Sequence, residues 1–275
     1  MIKKTVGFIT LLGICYCTAA NAQVINLPTK LAAYKTSNAS MYMVVKKANV
    51  VYPTIFTQHA NEANDYVEKL GNNRRQYLLH TYTRSKKYFP KTIAILKKYK
   101  VPAEFAVLLA LESGFNAKAI SPAGAVGYWQ IMDEVAKEYG LKIIEKEDEK
   151  ITKAKAKFVK PLPAKPVVDE RTNFIKSTTV AARYLKDRQK NLNGDWLLVA
   201  ASYNCGVGTV WNAIKRSGKP NADFWDIKQF LPSETRAYVM NFIALNVIFH
   251  NYKTFVNDDL CFEDIIVKNR VIAID

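Results

Sequence analysis

A glutamate on an apolar stripe is the first feature with chemical consequence. In Ala103–Ser113, Phe105, Leu108 and Leu109 recur at helical spacing, and the next position on their stripe is Glu112. A carboxyl placed where a core residue belongs loses water, so its charged form is disfavoured and its pKa rises. A carboxyl kept neutral near neutral pH donates protons, the task of a general acid. The same placement also fits a buried ion pair with an Arg or Lys, or a capping partner, and the stripe does not choose among these. The three histidines, His59, His80 and His250, are scattered and no Cys/His spacing has the form of a metal site. No metal and no cofactor is expected.

The surroundings of Glu112 add a pattern. Glu112-Ser113-Gly114-Phe115-Asn116 is followed by Gly124-Ala125-Val126-Gly127-Tyr128-Trp129-Gln130-Ile131-Met132, then Ala201-Ser202-Tyr203-Asn204-Cys205-Gly206, then Glu234-Thr235-Arg236-Ala237-Tyr238-Val239. A lone Glu-Ser carries no signal and Gly-x-x-Gly little; four blocks in this order carry a strong one. Together they resemble the lysozyme-like lytic transglycosylases (the Slt family, glycoside hydrolase family 23), closest to the membrane-bound lytic murein transglycosylase D group. The resemblance runs from about Arg74 to Phe249, and Gly194-Asp195-Trp196-Leu197-Leu198 and Asp223-Phe224-Trp225 add to it.

The resemblance implies a mainly α fold like that of goose-type lysozyme. It also implies cleavage of the β-1,4 bond between N-acetylmuramic acid and N-acetylglucosamine in peptidoglycan, without water. Glu112 would protonate the glycosidic oxygen, then as carboxylate take the proton of the muramoyl C6 hydroxyl, which closes a 1,6-anhydro ring on C1. One carboxyl serves twice, whereas most glycoside hydrolases flank the bond with two. Glu104, two turns away on the same helix at ~12 Å by helical rise, is too far to be a partner. Ser113, Tyr203, Asn204 and Tyr238 correspond to cleft residues that hold the acid or the substrate. Gln130 is expected to bond an N-acetyl group or a sugar hydroxyl. Gly124 and Gly127 are expected to let backbone approach a sugar closely, and Gly206 to shape the cleft. Trp129 and Trp196 fit packing better than sugar stacking. Ser202 stands where the family often has Ala, and no sugar-binding repeat is recognisable after the domain. The alternatives are a hydrolytic muramidase on the same fold, with Asp133, Glu134 or Glu234 activating water, and a catalytically silent peptidoglycan-binding protein.

Helices must position these residues. Periodicity is helical from about Val51 to Tyr99, with a break expected at Lys87-Tyr88-Phe89-Pro90 and a second helix over Ile93–Tyr99. Pro102 opens the next helix and Gly114 closes it. Residues 115–130 read as loop. Helical pattern resumes at Asp169; Asp195 is placed to cap a helix from Trp196, which Gly206 and Gly208 end. Pro232-Ser233 opens another, with Tyr238, Phe242, Leu245 and Phe249 on one face. The β-branched tail, Ile265–Ile274, is expected to form a short hairpin. The expected domains are a leader (1–22), an N-terminal, partly helical extension (23–73), a catalytic domain (74–255) interrupted by a Lys/Pro-rich insertion (142–168), and a tail (256–275).

Composition bounds the rest. The chain has 275 residues, 49% of them apolar, which suffices for a core, and no apolar run reaches the length of a membrane span. Lys3 and Lys4, an apolar stretch from Val6 to Cys17 and Ala20-Asn21-Ala22 have the three-part form of a secretory signal, so export to the periplasm or cell envelope is expected. A lipid anchor at Cys15 or Cys17 is disfavoured by Ile14 and Tyr16 before them. An oxidising compartment would permit a Cys205–Cys261 disulfide, and two separate thiols fit as well. The net charge of +16 invites an anionic partner. Export argues against nucleic acid. Moreover, +2 falls in the leader, +4 in residues 23–51 and +4 in the insertion, which better fits peripheral contact with an acidic wall or membrane surface. The partner the motifs imply is the peptidoglycan glycan strand.

Overall fold

The computed structural model describes residues 41–144 and 168–270. The expected leader, residues 23–40, the interior of the insertion and the last five residues lie outside that range. The described elements are mainly helical: α1 (Ala60–Asn73), α2 (Arg75–Lys98), a 3-10 turn (Ala103–Val107) running into α3 (Leu108–Ser113), α4 (Asp133–Glu138), α5 (Phe174–Asn191), α6 (Trp196–Cys205), α7 (Val207–Ser217), α8 (Phe224–Ile227), α9 (Ser233–His250) and α10 (Tyr252–Val256). Two small antiparallel ladders join β1 (Met41–Lys46) to β4 (Ile265–Arg270), and β2 (Ile143–Ile144) to β3 (Val168–Asp169). No described helix is long and apolar enough to cross a membrane.

Helix α9 is the axis. From Val239 to Ile248 all its residues but Asn241 are buried, and a helix apolar on nearly every side must lie inside. Helices α1, α3 and α6 pack around it. Tyr66 of α1 donates to Asn241 Oδ1 at 2.8 Å, which fastens the described part of the N-terminal extension to this axis. Asp195 caps α6 as expected, accepting from the amides of Leu197 and Leu198.

Four local expectations change. Pro90 does not break α2, which runs through it. Pro90 and Lys86 are both exposed, so the carbonyl that proline leaves without an amide faces water, while buried Leu78, Thr81, Ser85, Thr92 and Leu96 hold the helix to the core. Gly206 ends α6, but Gly208 ends nothing and lies inside α7. Asp169 belongs to β3; α5 starts only at Phe174, capped by Asn173, whose side chain accepts from the Lys176 amide. The tail strand does not fold back on itself: β4 pairs with β1, and Asp264 anchors the junction by accepting from the Ala48 amide at 3.0 Å. A β-branched strand needs a neighbour, and which segment supplies it is a tertiary matter. Cys205 and Cys261 are separate free thiols.

Candidate active site

Glu112 is set by packing on one side and by a chain break on the other. Leu108 and Leu109 bury the inner face of α3, and Phe105, just before it, lies 5.0 Å from the Phe242 ring of α9 and 5.2 Å from Trp196 of α6. Gly114 takes the left-handed conformation (φ 55°, ψ 36°) and caps the helix through its amide to Ala110. The helix thus ends one residue after Glu112 and leaves the carboxyl half-buried at its end.

The stripe's ambiguity is resolved by a tyrosine. Tyr238 of α9 donates its hydroxyl to Glu112 Oε1 at 2.5 Å. Among the described residues no ion pair involves Glu112; burial pushes its carboxyl up to about 7, and the Tyr238 hydrogen bond pulls it the other way. Burial, then the nearby Glu112 charge, pushes the Tyr203 and Tyr238 hydroxyls well above the ordinary phenol range. Near neutral pH the site therefore holds one carboxyl poised between its two forms, beside two neutral phenols. Such a group can both give and take a proton.

The other motif residues mostly hold backbone. Ser113 Oγ donates to the carbonyl of Tyr128 at 2.8 Å and accepts from the Asn116 amide at 3.1 Å. Tyr203 donates to the carbonyl of Trp129 at 2.7 Å. Gln130, itself at φ 48°, donates from Nε2 to the carbonyls of Gly127 and Ala119 at 3.0 and 3.1 Å, so its amide nitrogen closes the loop on itself. Asn204 accepts at Oδ1 from Thr235 Oγ1 at 2.7 Å, which ties α6 to α9. Gly206 (φ 79°, ψ 149°) turns the chain from α6 into α7.

Gly127 has a packing reason of its own. Its close approach is to protein: a Cβ there would lie 2.3 Å from the Arg171 carbonyl oxygen, so absence of a side chain lets two backbones touch. Gly124 has open space around its Cα, with φ 86°. Trp129 is wholly buried and donates to Thr178 Oγ1 at 2.9 Å, a packing role. Of the alternative bases, Asp133 pairs with Lys137 at 2.5 Å, while Glu134 and Glu234 are exposed.

Residues 91–225 match the family described as Transglycosylase SLT domain. The chain carries an SLT domain. The matched stretch contains Glu112, the 124–132 block, Tyr203 and Asn204, and stops short of Tyr238. The chain is also 32% identical over 197 residues to membrane-bound lytic murein transglycosylase D of Escherichia coli K12. The alignment covers 68% of this chain and 38% of that relative, so the chain spans well under half of the relative's length. Among solved structures it is similar to the lytic transglycosylase Slt of Pseudomonas aeruginosa, solved as an inactive mutant (TM-score 0.46, 22% identity, 60% of this chain and 24% of that one). It is also similar to the 70-kDa soluble lytic transglycosylase of Escherichia coli (TM-score 0.45, 19% identity, 75% and 33%).

Other residues hold the site without a role that the motifs assign. Arg171, buried, donates from Nε and Nη2 to the Asp169 carboxylate at 3.0 and 2.7 Å, and from Nη1 to the carbonyls of Gly124 and Ile131 at 3.4 Å. The Asp-x-Arg spacing at the downstream edge of a Lys-rich stretch was the available signal, and it is lost among many solvated charges. Thr178, which fixes Trp129, has no sequence signature, and Thr235, which fixes Asn204, lies in the fourth block without a role that the block assigns.

Proposed function

We propose that the protein is a peptidoglycan lytic transglycosylase. It cleaves the β-1,4 bond between N-acetylmuramic acid and N-acetylglucosamine, leaves 1,6-anhydromuramoyl ends, and acts in cell-wall turnover or remodelling in the envelope. The observation that carries this is the half-buried Glu112, raised to about 7 and held by Tyr238, in a domain of the SLT family. In its neutral form Glu112 protonates the glycosidic oxygen; as carboxylate it takes the proton of the C6 hydroxyl, whose oxygen attacks C1. A carboxyl balanced between its forms near neutral pH suits both halves of this cycle. Among the described residues its proton affinity is set by burial and by a phenol, and no second carboxylate contributes. That favours one carboxyl used twice over the paired acids of hydrolases. The murein in the name of the Escherichia coli relative is the corresponding substrate, and the surplus of basic charge suits peripheral contact with an acidic wall or membrane surface.

The test is mass analysis of purified peptidoglycan after digestion. Anhydro ends, lighter by one water than reducing ends, are expected. Reducing ends would make the protein a hydrolytic muramidase, and intact glycan would make it a binding protein.

A further inference from the structure

Two neighbouring carbonyls of one loop receive the hydroxyls that come from either side of the site. Tyr128 O takes the proton of Ser113, next to Glu112, and Trp129 O takes that of Tyr203. The loop is short of regular structure; its backbone closes on itself through the mutual Val126–Ile131 bonds and through Gly127 to Ala119. Its rear support is the segment 169–171. There Arg171 reaches the carbonyls at both ends of the loop, Gly124 and Ile131, while its own carbonyl sits against Gly127. Asp169 holds the guanidinium by its fork, which is a directional and charge-assisted contact. Asp169 is also the last residue of β3, paired with Ile143 of β2.

We propose that Asp169 and Arg171 are positioning residues for Glu112: by seating the 124–131 loop they keep the Trp129 carbonyl as the acceptor of the Tyr203 proton, so that Tyr238 is the hydroxyl donor to the acid. The groups around Glu112 are Tyr238 from α9 and Tyr203 from α6, with Tyr184 of α5 edge-on behind Tyr203 at 5.7 Å. From α2, Arg84 lies over the ring of Phe115, three residues along from Glu112. Of these, Tyr203 carries the proton that can be redirected. If the loop shifts, the Trp129 carbonyl withdraws and the Tyr203 hydroxyl turns to the carboxylate it already senses. A second hydroxyl donated to the ionised form favours that form and lowers the proton affinity of Glu112. The acid would then be less protonated at neutral pH. The Asp169–Arg171 pair thus acts on proton affinity without touching substrate.

This inference rests on Glu112 being the acid/base of the proposed reaction, but its test needs no substrate. The Glu112 carboxyl is followed by carbon NMR across pH in the full chain, and assigned by the signal lost in Glu112→Gln. Tyr203→Phe is expected to leave the midpoint where it is, and Tyr238→Phe to raise it. Arg171→Lys keeps the charge beside Asp169 but cannot reach both ends of the loop; it is expected to lower the midpoint by ~1 pH unit, the effect of one added hydroxyl donor. Adding Tyr203→Phe to Arg171→Lys is expected to restore it. Asp169→Asn, a milder loosening of the same pair, is expected to shift the midpoint in the same direction and serves if Arg171→Lys does not fold. The proposal is overturned if Tyr203→Phe raises the midpoint as Tyr238→Phe does, or if a folded Arg171→Lys or Asp169→Asn leaves it unchanged. Intact peptidoglycan with the wild-type protein would refute the functional reading and leave this titration result standing.

Discussion

The candidate site has a helical wall and a loop wall, and the two are held by different physics. On the helical wall α3, α6 and α9 meet through buried Phe105, Leu108, Leu109, Ala201, Val239 and Phe242. Glu112 and Tyr238 protrude from that packing and meet each other. On the loop wall, residues 124–131 are held by discrete contacts: hydroxyls from Ser113 and Tyr203, the Gln130 amide, the Arg171 guanidinium and one backbone touch at Gly127. Apolar burial is spread over many atoms and tolerates small changes of shape. A hydrogen bond to a buried carbonyl is local, and its removal leaves that carbonyl unsatisfied. Glu112 is therefore mounted on the robust wall, and the loop opposite it on the fragile one.

Substitutions test that contrast. Glu112→Gln removes the proton without changing shape and should reduce release of glycan fragments by about 10³-fold or more, with an unchanged far-ultraviolet spectrum. The same variant reports on pH and stability. Because burial raises the Glu112 carboxyl above its ordinary value, the folded state binds more protons than the unfolded one between about pH 4.5 and 7. Stability should therefore fall as pH rises through that window, by on the order of 3 kcal/mol, and Glu112→Gln should remove this fall in urea titrations at pH 4 and pH 8. Next comes the loop wall. Gly127→Ala forces a Cβ against the Arg171 carbonyl and should destabilise by about 2–4 kcal/mol. Gly124→Ala, with a similar φ but open space, should lose only about 1–2 kcal/mol. Equal losses for the two glycines would remove close packing as the reason for Gly127.

Tyr238→Phe should lower activity about tenfold and move its alkaline limb to higher pH, since the lost hydrogen bond was the influence holding the Glu112 carboxyl down. An unshifted limb would mean that Glu112 is not the group being titrated. The smallest effect is expected at Glu234, one turn before Tyr238 on α9 and exposed. Glu234→Gln should leave the rate and the anhydro product unchanged, and a switch in product would give Glu234 a role in steering water.

How much of this could be read beforehand differs between the walls in the same way. Glu112 was legible because a helix has a fixed period, so a charged residue on an apolar stripe stands out. Asp195 and Gly114 were legible because helix ends need a cap and a left-handed turn. Pro90 misled because a proline's cost depends on which way its orphaned carbonyl faces, and only packing against the core sets that. Gln130 and Gly127 are expected to meet sugar, and in the fold the Gln130 Nε2 bonds two backbone carbonyls while Gly127 lies against Arg171. Their motif fixes which residue types are needed there, but a sugar and a neighbouring backbone demand the same small or amide-bearing residue.

The local code thus determined where most helices lie, the caps at Gly114 and Asp195, and the one carboxyl on an apolar stripe. Tertiary structure decided what stands opposite that carboxyl. Tyr238 is 126 residues from Glu112, and Tyr203 is 74 residues from the carbonyl that holds its proton. Hydrogen bonds of such range depend on how helices pack, and packing is a property of the whole core that no local period encodes. The same reasoning applies to β4: its residues specify a strand, and the fold alone brings β1 to its edge.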